Sequence, residues 1–86
     1  MIIRILHEGQ YELDGKTLED VRRLDLELLQ VVASANESGY QETLGTLLAT
    51  IRKEGRKLGD HELKESHLIV PGSDFHLDEA RALFKL

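Results

Sequence analysis

Four histidines, His7, His61, His67 and His76, are the side chains best suited to metal binding or proton transfer in this 86-residue chain. No two share the i, i+4 spacing of helical ligands, and none stands in a His-Glu-x-x-His arrangement. His61 beside Glu62 and His67 near Glu65 supply suitable donor atoms, but without convergent spacing they read as solvated loop residues. The carboxylates are dispersed. Glu8 and Glu12 flank the first turn, while Asp60, Glu62 and Glu65 lie in a charged loop. A general acid–base pair needs two groups driven apart in pKa within one cleft, and nothing in this spacing supplies one. Serine gives no G-x-S-x-G elbow, and the seven glycines are too scattered to cradle a phosphate. The expectation is a protein with no catalytic residues, no resident metal and no cofactor.

One cluster could recognise an anion or a lipid surface: Arg52, Lys53, Arg56 and Lys57. Each Lys or Arg near anionic lipid contributes about 1 kcal/mol. Glu54, Asp60 and Glu62 dilute the cluster, and cations at a helix C-terminus also complement the helix dipole. A net charge of −5 and the absence of aromatics interleaved with the basic residues argue against a dedicated nucleic-acid binder. With no cysteine there is neither a disulfide framework nor a thiolate zinc site. A 9.8 kDa chain hides about 64% of its surface on folding, enough for one modest core but not for a roomy enclosed site. The opening apolar run is broken by Arg4 and His7, too short for a signal peptide or a spanning helix, so a cytoplasmic location is expected.

These groups must be positioned by an α+β domain covering residues 1–86. Alternation over the first thirteen residues predicts a β-hairpin turning at His7-Glu8-Gly9-Gln10, with Gly9 taking positive φ. Thr17 is the expected N-cap of a first helix from Leu18 to about Glu37, stopping near Ser38-Gly39. Its apolar stripe is Leu18, Val21, Leu24, Leu28, Val31, Val32 and Ala35. A second helix is predicted from Tyr40 or Gln41, with Tyr40, Leu44, Leu47, Leu48 and Ile51 on one face and Gly55 beyond its end. So short a connection predicts an antiparallel αα-hairpin, on which the β-hairpin packs. Arg56 to Ser66 is charged, anchored only by Leu58 and Leu63. Residues 67–70, ended by Pro71, suit a short third strand at a sheet edge. Asp74 is the expected N-cap of a short final helix with Leu77, Ala80, Leu83 and Phe84 in a stripe.

Two residues on the first helix break its pattern. At about 100° per residue, Asp25 falls inside the apolar stripe, beside Leu29 and Val32, while Leu26 falls nearly opposite. A carboxylate there is held by a nearby backbone group or cation, or else it marks an interaction site. Leu26, with Leu29 or Val31 at the stripe's margins, suits a helix-binding or dimer surface.

The segment MIIRILHEGQYEL, then Leu24-Asp25, Ile51-Arg52, Gly55 and Leu58, resembles the PspA-associated proteins of the phage-shock, or envelope-stress, system. The similarity resumes at Asp60, Glu62-Leu63, Ser66, Leu68-Ile69-Val70-Pro71, Asp74 and Leu77. The Glu8-Gly9-Gln10-Tyr11 turn and the stretch from Ser66 to Pro71 are its most specific parts. The chain departs from the family pattern at His67, where an acidic residue is usual, and before Asp60, where a proline is usual. The resemblance implies a non-enzymatic adaptor that works with a PspA-like, ESCRT-III-type coiled-coil protein at the inner face of the cell membrane. It implies no catalytic residue and no cofactor. Under this reading Glu8, Gln10, Tyr11, Asp25 and Leu26 are the candidate protein contacts, a homodimer being the other use of such a surface. Anionic-lipid binding through Arg52, Lys53, Arg56 and Lys57 is the alternative.

Overall fold

The computed structural model describes residues 1–62 and 64–85. Ile2–Ile5 (β1) and Gly9–Glu12 (β2) pair antiparallel, with Ile3 opposite Tyr11 and Arg4 opposite Gln10. Successive strand side chains point to opposite faces, so Ile3, Ile5 and Tyr11 share one face, and Ile2, Arg4, Gln10 and Glu12 share the other. The turn between them works as its composition requires: Gly9 takes φ +143°, and His7 takes φ +67°. The alternation therefore yields the predicted hairpin.

Two further strands widen it. Arg56–Lys57 (β3) pairs antiparallel with β2, and Leu68–Val70 (β4) pairs parallel with β1, giving the order β3-β2-β1-β4. β4 is the short strand expected near 67–70, and β3 is an addition to the expected fold. Because β3 and β4 lie on opposite edges, the chain between them, described at residues 58–62 and 64–67, must cross the sheet. It crosses on the Gln10 face: the Gln10 side chain donates to the Lys64 carbonyl and to Ser66 Oγ. Leu58 N–H to the Gln10 carbonyl (2.9 Å) and His67 N–H to the Ile2 carbonyl (2.8 Å) fasten the two ends of this strap. Ile2 and Gln10 are buried on this face, and Leu58, at the start of the strap, is buried as well. Leu63, the second anchor expected there, lies outside the described residues.

The helices begin at different residues from those expected, and α1 also ends earlier, whereas α2 ends at Glu54 with Gly55 beyond it, as expected. The first, α1 (Gly15–Ala33), starts one turn early because Asp14, not Thr17, is its N-cap. Asp14 Oδ1 accepts the Thr17 N–H at 3.2 Å, and the Thr17 hydroxyl also donates to it. α1 stops at Ala33, and Ala35 takes φ +54°, reversing the chain. Asn36 then caps α2 (Glu37–Glu54) by accepting the Gly39 N–H at 3.0 Å. Gly39 thus lies inside α2 and not at the end of α1. A Cβ there would sit 2.6 Å from the Asn36 side chain, so the glycine serves the cap. The last helix, α3 (Leu77–Phe84), is preceded by His76 at its N-cap, not Asp74; Glu79 reaches back to accept the His76 N–H at 3.0 Å. Asp74 is drawn away by His7, as described below.

The three-residue connection folds α2 back along α1, and both pack on the Tyr11 face of the sheet. Val21, Leu24, Leu28 and Val32 from α1 and Tyr40, Leu44, Leu47, Leu48 and Ile51 from α2 meet Ile3, Ile5, Tyr11, Leu13 and Val70 in one core. α3 closes the side of α1 through Ala80, with Leu77 and Phe84 partly buried. Arg81 Nη1 donates to the carbonyl of Val32 (2.7 Å), which also accepts the Ala35 N–H, and to that of Ala33 (3.2 Å), setting a cation at the negative pole of α1. Tyr40 spans the interior to donate its hydroxyl to the Phe75 carbonyl at 2.8 Å, and burial pushes its pKa up to about 12. No helix among the described residues is long and apolar enough to cross a membrane.

Candidate interaction surface

The hairpin turn delivers Glu8 to the C-terminal end of α2. Arg52 Nε donates to Glu8 Oε2 at 3.0 Å and its Nη2 to Oε1, a two-pronged grip, while the Tyr11 hydroxyl donates to Oε2 at 2.7 Å. Arg52 holds the Glu8 carboxyl down to about 2, against the opposing effect of burial, and Tyr11 and Lys57 help. The same environment raises Tyr11, chiefly through desolvation and then through Glu8. Glu8 and Tyr11 are therefore engaged inside the molecule, joining the sheet to α2. The Tyr11 ring is buried, and Gln10 is buried on the opposite face under the strap.

The Glu8–Arg52 grip has a testable pH signature. A carboxyl held at about 2 when folded and near 4.5 when unfolded stabilises the fold fully above pH 4.5, and that stabilisation fades as pH falls toward 2. Arg52 is 41% exposed, so solvent screening limits the effect to about 1–2 kcal/mol. Glu8→Gln should lower stability by that amount at pH 7 in urea unfolding, and the gap to wild type should close near pH 2. An unchanged gap across that range would remove the ion pair from the account.

The basic cluster divides. Arg52 is taken by Glu8, and Arg56 is shared between Glu12 (3.1 Å) and Glu62 (3.4 Å). Lys64 reaches Glu12 at 3.6 Å. Among the described residues, Lys53 and Lys57 enter no ion pair. Of the four cations expected to meet an anionic surface, the two arginines instead neutralise carboxylates of the hairpin and strap. Glu12 and Glu62 are both lowered, Glu12 mainly by the Arg56 hydrogen bond and Glu62 first by the Gly59 backbone N–H and then by Arg56.

On α1 the surface is different. Leu26 is 62% exposed and Leu29 39%, whereas Val31 packs against the core. Asp25 is half-buried beside them. Its Oδ1 is shielded from water and has no hydrogen-bond partner among the described residues, so neither the backbone group nor the cation expected for it is present. Desolvation accordingly raises its pKa. Ile69 on β4 is also well exposed, a residue that the reading of 67–70 as one apolar run did not single out. Strand alternation between Leu68 and Val70 is the signal that would have found it.

The histidines are not gathered into a site. His7 Nδ1 lies 2.8 Å from Asp74 Oδ2, with its ring tilted on Phe75 at a centroid distance of 5.1 Å. His67 Nδ1 accepts the Ile2 N–H at 3.0 Å. No group of three or more potential metal ligands occurs among the described residues.

The family model for the PspA-associated protein matches the chain over residues 1–86. The chain belongs to the PspA-associated protein family. Comparison with curated proteins and with solved structures finds no match. In this PspA-associated protein, the turn that carries the sequence resemblance holds the domain together from within. Among the described residues, the large apolar side chains that face outward are Leu26 and Leu29 on α1 and Ile69 on β4.

Proposed function

We propose that this chain is a non-enzymatic accessory protein that binds a PspA-like coiled-coil protein and tunes its assembly at the inner membrane surface. The family match over residues 1–86 carries this reading. A partner built of long charged amphipathic helices is met naturally by a domain that presents a helix of its own. The protein reaches the membrane through that partner. The pairing of Arg52 and Arg56 with carboxylates leaves direct lipid binding the weaker reading. Co-purification tests the proposal: the chain and the PspA-like protein of the same cell, each at micromolar concentration, should elute as one complex. Separate elution would overturn it. In the same experiment anionic vesicles should retain the chain only when the PspA-like protein is present.

A further inference from the structure

His67 joins β4 to β1 through two bonds to a single residue. Met1 and Leu13 exchange hydrogen bonds in both directions, so the next pair across the hairpin, Ile2 and Glu12, exchanges none. Ile2 therefore turns its N–H and C=O away from β2 and toward β4. Its carbonyl accepts the His67 N–H at 2.8 Å. Its own N–H lies beyond the β1–β4 ladder, whose register begins at Ile3 and Leu68. The His67 ring fills that place, with Nδ1 accepting the Ile2 N–H at 3.0 Å. Ile2 is only 5% exposed, so water is a poor substitute for the ring, and an unmet amide there is costly.

Accepting this bond requires Nδ1 without a proton, which leaves the ring proton on Nε2. In a protonated ring both nitrogens donate, and Nδ1 then faces another donor. Histidine is the side chain that ordinarily changes charge between about pH 5 and 8. His7 differs, because its ring faces the Asp74 carboxylate at 2.8 Å and keeps that partner when protonated. The charged groups around His67 are the Met1 ammonium and Arg4 from β1, Glu12 from β2, and Lys64 and Glu65 from the chain leading into β4. Glu12 is held by Arg56 and Lys64, and His67 enters no ion pair among the described residues. Nothing described there replaces the lost bond with a new one. We infer that His67 is a pH-sensitive latch on the β1–β4 junction: the neutral ring closes it at Ile2, and protonation opens it. The latch sits where the chain crossing the sheet enters β4. Opening it loosens that entry and leaves the core between helices and sheet in place.

Amide hydrogen exchange of the full chain tests this, read at Ile2 as a protection factor at about pH 7.5 and about pH 5. In the wild type that protection should fall about fivefold at the lower pH, the effect of one net hydrogen bond. His67→Asn sets an amide oxygen where Nδ1 stands and does not titrate, so its protection should be equal at both pH values. His67→Ala, with no acceptor, should show low protection at both. Nitrogen-detected NMR of the wild-type ring should find the proton on Nε2 at the higher pH. Equal wild-type protection at both pH values, or the same fall in His67→Asn, would overturn the latch. So would a neutral ring protonated on Nδ1, or full Ile2 protection in His67→Ala. Should His67→Ala fail to fold, the wild type and His67→Asn carry the test between them.

Discussion

Leu28→Ala is expected to lower the unfolding free energy by about 2–5 kcal/mol. The side chain has no solvent exposure and belongs to the cluster that joins α1, α2 and the sheet. Shortening it removes transfer free energy and leaves a cavity that rigid neighbours on three elements cannot fill. An 86-residue domain holds about 4–13 kcal/mol in total, so the change would take a large share of it. Leu26 provides the control two residues away. It projects into solvent, and Leu26→Ala should change stability by no more than about 0.5 kcal/mol. Urea unfolding of both variants checks the pair, and equal losses would mean that the apolar stripe of α1 has been assigned to the wrong side.

Gln10→Ala should cost about 2–3 kcal/mol although it removes no part of the main core. The Gln10 amide donates to the Lys64 carbonyl and Ser66 hydroxyl, and its oxygen accepts the Lys64 N–H at 3.3 Å. Truncation leaves these part-buried strap groups without their partner, and the cost of an unmet polar group away from water exceeds the net value of a bond made. Gln10→Glu should also destabilise at neutral pH, because a carboxylate cannot donate to the Lys64 carbonyl. Hydrogen exchange gives the sharper test: loss of protection should concentrate at Lys64 and along residues 58–67 before the helices respond. Uniform exchange across the chain would show that the strap is not held by Gln10.

What could be read from the sequence follows from the range of each interaction. The hairpin and the two helical stripes were legible because periods of 2 and 3.6 are local and repeated. The cap of α1 was displaced because Asp14 and Thr17 are chemically similar candidates three residues apart, and only the partner amide chooses between them. β3 was invisible, since two exposed basic residues joined to β2 through backbone bonds carry no apolar signature. Glu8 and Tyr11 stood out by type, yet Glu8 finds Arg52 44 residues away, and Gln10 finds Lys64 54 residues away. Such pairings depend on topology and leave no trace in spacing. Asp25 and Leu26, by contrast, were placed correctly by the helix period alone, as an intruder in the stripe and an outlier from it.

The order β3-β2-β1-β4 also bears on how the chain is made. β1 is synthesised first, yet it lies inside the finished sheet, and its second neighbour, β4, follows 65 residues later. At about 5–20 residues per second, that interval lasts about 3–13 s on the ribosome. Throughout it, the apolar sequence Ile-Ile-Arg-Ile presents an unpaired backbone edge of the kind that recruits foreign strands. Until Val70 is in place, Arg4, the one charge within β1, is the residue in that strand that discourages such pairing.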